Sequence, residues 1–130
     1  MILLDTHVVL WWALDPDKLS VKAKRICAEM ERSKGLLSSI SIWELGIKIN
    51  KGKLEIGLSI EEFVQLLRKT GVLEIVPVDE KIWMKNLSLK WSHKDPADRT
   101  LVATALLNQV PILTKDKVIH RYRGVKSIWR

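Results

Sequence analysis

Short apolar runs alternate along the chain with longer stretches of helical period. The runs are Ile2 to Leu4, Leu36 to Ser38, Ile75 to Pro77, Ile112 to Thr114 and Ser127 to Trp129. This alternation predicts an α/β domain with a mainly parallel sheet. Between the runs the helical signals are specific. Ser20 is placed to cap a helix over Val21 to Arg32, in which Ala23, Ile26, Cys27 and Met30 recur on one face and which Gly35 follows. Ser59 and Glu62 form a capping box ahead of IEEFVQLLRKT. There Ile60, Phe63, Val64 and Leu67 make the apolar stripe, and Gly71 ends the run. Asp79 starts a third helix that continues through Trp83 and Leu87. The segment SISIWELGIKI at 39 to 49 is nearly strand-like in period. Wound as a helix, it sets Ile40, Trp43, Glu44 and Ile47 on one side and Ile42, Leu45 and Ile49 on the other. A helix apolar on both sides is sandwiched, between the sheet and either another helix or a second subunit, so a homodimer is one expectation. Trp11 and Trp12 read as core residues.

Composition adds to this picture. No internal repeat, low-complexity tract or linker divides the 130 residues, which are expected to form one domain over 1–130 and to bury roughly two thirds of their unfolded surface. The longest purely apolar run, VVLWWAL, has seven residues, where a membrane span takes about 18 or more. With one cysteine on a predicted core face, the chain suits a reducing compartment, and a cytoplasmic protein is expected. The formal charge of +7, from 22 Lys plus Arg against 15 Asp plus Glu, favours an anionic partner. Lys117, Arg121, Arg123, Lys126 and Arg130 fall in a C-terminal stretch without an acid, and Lys48, Lys51 and Lys53 form a second group. The six glycines make neither GxGxxG nor GxxxxGK[ST], which disfavours a nucleotide-binding enzyme.

The acids carry the chemistry. In open parallel sheets ligands collect beyond the carboxyl ends of the strands, where strand order reverses. Asp5 ends the first run, Asp116 comes two residues after PILT, and Glu44 lies about one and a half turns into the helix after LLS. In HKDPADRTLVATA, Asp95, Pro96 and Asp98 reproduce a helix start, and Asp95 reads first as the cap. Asp98 differs, because Leu101, Val102 and Ala105 share its side and a carboxylate on a buried stripe is unusual. Two like charges ~4 Å apart repel by roughly 4 kcal/mol at an effective dielectric of 20, so converging carboxylates call for a counter-ion. Oxygen donors select Mg²⁺ or Mn²⁺. His7, His93 and His120 show no spacing that argues for zinc; His7 and His93 remain candidates to lie near the site, with a neutral or surface role as the first reading.

With these residues in place, the chain resembles the PIN-domain family, and in particular the VapC-type toxins of prokaryotic toxin-antitoxin pairs. LLDTHVVLWWAL at 3–14, SIWELGIKINKGKL at 41–54, HKDPADRTLVATA at 93–105 and ILTKD at 112–116 look like the family's four acid-bearing segments in order. The resemblance implies a PIN-like three-layer α/β/α sandwich with a four or five-stranded, mainly parallel sheet. Asp5, Glu44, Asp98 and Asp116 would be its metal-holding catalytic acids, with Asp95 in support. Thr114 and Thr6 would orient water or an acid through their hydroxyls. It also implies a Mg²⁺- or Mn²⁺-dependent ribonuclease, often dimeric, that hydrolyses RNA by metal-activated water and is silenced by a cognate antitoxin. On that reading Arg99, Lys117, Arg121 and Arg123 are candidates to hold the RNA backbone, and a surface salt bridge is the competing role for Arg99. The rival functions are a non-catalytic RNA-binding regulator and a nuclease of routine RNA processing. DNA suits the charge equally well.

Overall fold

The computed structural model describes residues 1–130. Five short strands form one parallel sheet: β1 (Leu3–Leu4), β2 (Gly35–Ser38), β3 (Leu73–Val76), β4 (Ile112–Leu113) and β5 (Ser127–Ile128), in the order β3-β2-β1-β4-β5. Every neighbouring pair is parallel. The third strand begins two residues before the apolar run that announces it, because Glu74 alternates with Leu73 and Ile75 and hides the start of the strand. The connecting helices are α1 (Thr6–Leu14), α2 (Val21–Arg32), α3 (Ser39–Asn50), α4 (Ile60–Thr70), α5 (Glu80–Ser88), α6 (Pro96–Asn108) and α7 (Lys117–Arg121), with one 3₁₀ turn at Pro16–Lys18.

The helix starts follow local chemistry. Ser20 accepts from the Ala23 N–H, and Ser59 with Glu62 closes a reciprocal capping box. Asp79 caps α5 through the Ile82 N–H. Gly71, at φ 66°, takes the left-handed position that ends α4. The ambiguous segment at 39–49 is helical, with Ser38 as its cap. Its neighbours decide the matter: Ile40 packs into one core and Ile42 into the other, while Trp43 stands 59% exposed.

Alternation along the strands splits the core into two. Leu4, Leu37 and Leu113 face α1, α2 and α4, where Val8, Val9, Cys27, Met30, Phe63 and Leu67 complete a cluster of 15 buried residues. Leu3, Leu36 and Ile112 face the opposite way, onto Leu101, Val102 and Ala105 of α6 and Ile119 of α7. Helices on both faces of a parallel sheet give the α/β/α sandwich. Trp11 and Trp12 are half-buried and pack against the rim of the larger cluster. The chain runs outward from β1 on one side through β2 and β3, then returns to the other side with β4 and β5. The reversal lies between β1 and β4, so the crevice beyond their carboxyl ends is where the topology opens a site.

Candidate active site

Asp5 directly follows β1 and caps α1, accepting the Thr6 N–H at 2.7 Å on Oδ1. Its Oδ2 accepts the Thr114 hydroxyl at 2.6 Å, a bond across 109 residues that ties the ends of β1 and β4 together. The Thr114 oxygen in turn accepts the Asp116 N–H at 2.9 Å. Asp116 then turns its Oδ1 to the Val118 and Ile119 N–H groups as the cap of α7. On the other side of Asp5, the Thr6 hydroxyl donates to Glu44 Oε1 at 2.6 Å. That hydroxyl proton is thereby used, and the Ser41 hydroxyl donates to Thr6 Oγ1 at 2.8 Å. Two threonines thus hold three acids drawn from β1, α3 and the end of β4.

Asp98 enters from the first turn of α6. Asp95 is that helix's cap, accepting from the Ala97 and Asp98 N–H groups. The acids sense one another. The Asp98 carboxyl is raised to about 6, chiefly by desolvation, against the lowering His93 hydrogen bond and with the charges of Asp95, Asp116 and Asp5 adding to the rise. Burial raises Asp5 too, against the Thr114 and Thr6 hydrogen bonds, with Asp116 adding to the rise. Glu44 is raised by burial, against the Thr6 hydrogen bond, with Asp5 and Asp95 among the charges that push it upward. Five carboxylates from four separate segments therefore share one electrostatic neighbourhood.

The closest grouping is His93, Asp95 and Asp98, whose ligand atoms lie within 4.8 Å of one another. Asp5, Glu44 and Asp116 stand outside that spacing. The donor set suits a hard dication that keeps part of its water shell, as Mg²⁺ does, because such an ion bridges wider gaps through water. Glu44, Asp98 and Asp116 each commit one oxygen to the protein, and no buried side-chain oxygen lacks a partner, so their second oxygens stay open to solvent. A cleft of about 360 Å³ beside them is lined by Asp5, His7, Val8, Trp11, Lys115 and Asp116.

His93 and Arg99 take roles other than the first reading of each. His93 is a neighbour of the site: its Nε2 bonds Asp98 Oδ2 at 2.7 Å. Its place five residues before Asp98 carries no periodic signal, since the intervening segment is irregular. Arg99 makes neither a surface ion pair nor an open cation. Its guanidinium donates to the backbone carbonyls of Asn86, Leu89, Trp91 and His93 and to Asn86 Oδ1, over 2.6 to 3.4 Å. Those donors are spent on the α5–α6 connection, so Arg99 is withdrawn from the candidate RNA contacts. Lys117 and Arg121 line a second, basic cleft, and Arg123 lies outside it.

The PIN-domain family model matches residues 2–125. Ribonuclease VapC22 of Mycobacterium tuberculosis is 26% identical over 131 residues, covering 98% of each chain. Among solved structures, VapBC2 from Rickettsia felis bound to a promoter DNA fragment superposes with a TM-score of 0.71 at 17% identity over 100% of both chains. FitAcB from Neisseria gonorrhoeae gives 0.68 at 22% identity, over 98% of this chain and 96% of the other. A toxin-antitoxin complex from Klebsiella pneumoniae gives 0.67 at 17%, with the same coverage. These structures share the layered fold. With nearly its whole length matched by the family model, the chain belongs to the PIN-domain family.

Proposed function

We propose that residues 1–130 form one PIN nuclease unit, a Mg²⁺- or Mn²⁺-dependent endoribonuclease that is the toxin of a toxin-antitoxin pair. The observation that carries this reading is the convergence of Asp5, Glu44 and Asp116 on the Thr6 and Thr114 hydroxyls at the crevice beyond β1 and β4, with Asp95 and Asp98 at the start of α6 beside them. A fold gains nothing from gathering such charges without a cation to offset them. Asp5, Glu44, Asp98 and Asp116 would hold the ion, with Asp95 and His93 at its edge. When bound, the ion lowers the pKa of water and offsets charge building on the phosphate.

The chain's own groups supply the rest. Thr114 and Thr6 fix the Asp5 and Glu44 carboxylates in orientation, so the acids reach the transition state without reorganising. His93 holds Asp98 from the far side. The +7 charge of the body draws RNA toward this acidic recess. The likeness to ribonuclease VapC22 supports RNA as the substrate, and the likeness to toxin-antitoxin complexes supports a cognate antitoxin. Exposed Trp43, Trp83, Met84 and Leu87 support self-association into a homodimer. No helix is long and apolar enough to cross a membrane, which suits the cytoplasmic location of such a substrate.

Incubating the protein with a labelled RNA pool in Mg²⁺, Mn²⁺ or chelator, beside Asp5→Asn and Asp98→Asn, tests the reading. Cleavage is expected from the wild type with metal alone. Equal RNA binding by all three proteins with no cutting in any metal would instead make the chain an RNA-binding regulator. Growth arrest relieved by a neighbouring small DNA-binding protein separates a toxin from a processing nuclease.

A further inference from the structure

A second cleft, of about 600 Å³, opens beside the acid site between α7 and β5. Lys115, Lys117, Arg121 and Arg130 line it, and no acid does. Lys117 and Arg121 are four residues apart on α7 and project from one face of it. The His120 ring is fixed in its wall, with Nε2–H donating to the Thr114 carbonyl at 2.6 Å and Nδ1 meeting the Ser127 hydroxyl at 2.7 Å. Trp129, tilted against Trp11 with ring centres 5.8 Å apart, closes the inner side. The protein contains two ion pairs, Lys18–Asp15 and His93–Asp98, and neither involves these four cations. Four unpaired like charges around one concavity repel one another, and a polyanion removes that cost.

We propose that this basic cleft binds the phosphodiester backbone flanking the scissile bond, so that a single strand runs from the acids across Lys115 and along Lys117 and Arg121. The proposal rests on the nuclease reading of the acid site. Lys115 lines both the acidic cleft and the basic one, which makes the two a continuous path. Its ammonium stands 5.9 Å from the Trp11 ring centre, at the border where the sign of the charge changes. Asp5, at the head of the acid site, is 8% exposed. A flexible single strand follows the bend from this recess into the basic cleft more readily than a stiff duplex. An acidic polypeptide is a poorer match, because its charges are neither evenly spaced nor required to continue into a nest of carboxylates.

The test measures binding with chemistry blocked. Affinity of a labelled single-stranded RNA of about a dozen nucleotides is followed by anisotropy against salt, in chelator, on an Asp5→Asn background. Lys117→Ala with Arg121→Ala is expected to weaken binding at least tenfold at low salt. It should also lower the slope of log K against log salt by about 1.4, the value for two single-strand phosphate contacts. Lys51→Ala with Lys53→Ala, in the other basic group, should leave both unchanged. Unchanged affinity and slope in a Lys117/Arg121 variant that melts like its parent would overturn the proposal, as would tighter cleft-dependent binding of polyglutamate than of RNA. Metal-dependent cutting by wild type alongside unchanged variant binding sinks the cleft and leaves the nuclease standing. Lost binding without any cutting by wild type would keep the cleft as an RNA-backbone site but sink the nuclease reading, and with it the cleft's place beside a scissile bond.

Discussion

At the scale of single residues, the acid site sets charge against stability. Asp98 binds its proton more tightly in the folded protein, at about 6, than at its ordinary 3.8. The native state therefore holds the extra proton between those values, and metal-free stability falls as pH rises from about 4 to about 6. Asp5 and Glu44 shift in the same direction. Asp98→Asn is expected to flatten that fall and to stabilise the metal-free protein above pH 6 by roughly 1 to 3 kcal/mol while abolishing cleavage. Melting curves across pH 4 to 7 decide it; a variant less stable than wild type at pH 7 would refute the account. Added Mn²⁺ should restore wild-type stability above pH 6 and leave the variant nearly unmoved, since the ion and the proton compete for the same oxygens. Thr114 is the second residue of consequence. Thr114→Val leaves Asp5 Oδ2 and the Asp116 N–H without their partner and should cost about 1 to 3 kcal/mol in denaturant unfolding, with Thr114→Ser recovering most of it.

At the scale of elements, the segment between α5 and α6 is the least regular part of the site, and one side chain bonds much of its backbone. Arg99 bonds the backbone carbonyls of Leu89, Trp91 and His93 within it and that of Asn86 in the last turn of α5. Arg99→Ala should cost roughly 2 to 4 kcal/mol and expose residues 89–95 to protease nicking. Arg99→Lys should rescue little, because a lysine has no planar fork to span four acceptors. Nicking of wild type and variant at equal rates would remove the clamp from the explanation. The same contrast shows what the sequence could and could not display. Ser20, the Ser59–Glu62 box, Asp79 and Gly71 mark helix ends by chemistry that is local, and the elements stand where those residues put them. Asp98 stood out because its neighbours on the helix are apolar. His93 and Arg99 lacked any such mark. Their roles depend on a coil conformation and on carbonyls up to 13 residues away, which no periodicity records. Only the fold made visible how the two threonine hydroxyls distribute themselves over Asp5 and Glu44.

At the scale of the whole molecule, opposite charges are kept apart: a nest of carboxylates beyond β1 and β4 within a body of net charge +7. Association with RNA should therefore slow steeply with ionic strength, while the rate at saturating RNA changes far less. Pre-steady-state mixing at two salt concentrations separates the two, and equal sensitivity of both rates would argue against steering.

The Asp5–Thr114 bond has a bearing on biosynthesis. Asp5 leaves the ribosome well before the hydroxyl that orients it, and Asp116 beside it, which emerge more than a hundred residues later. A nascent polypeptide cannot assemble the centre until β4 docks against β1. On the nuclease reading, the chain stays harmless to the message that encodes it until β4 has been made and has docked.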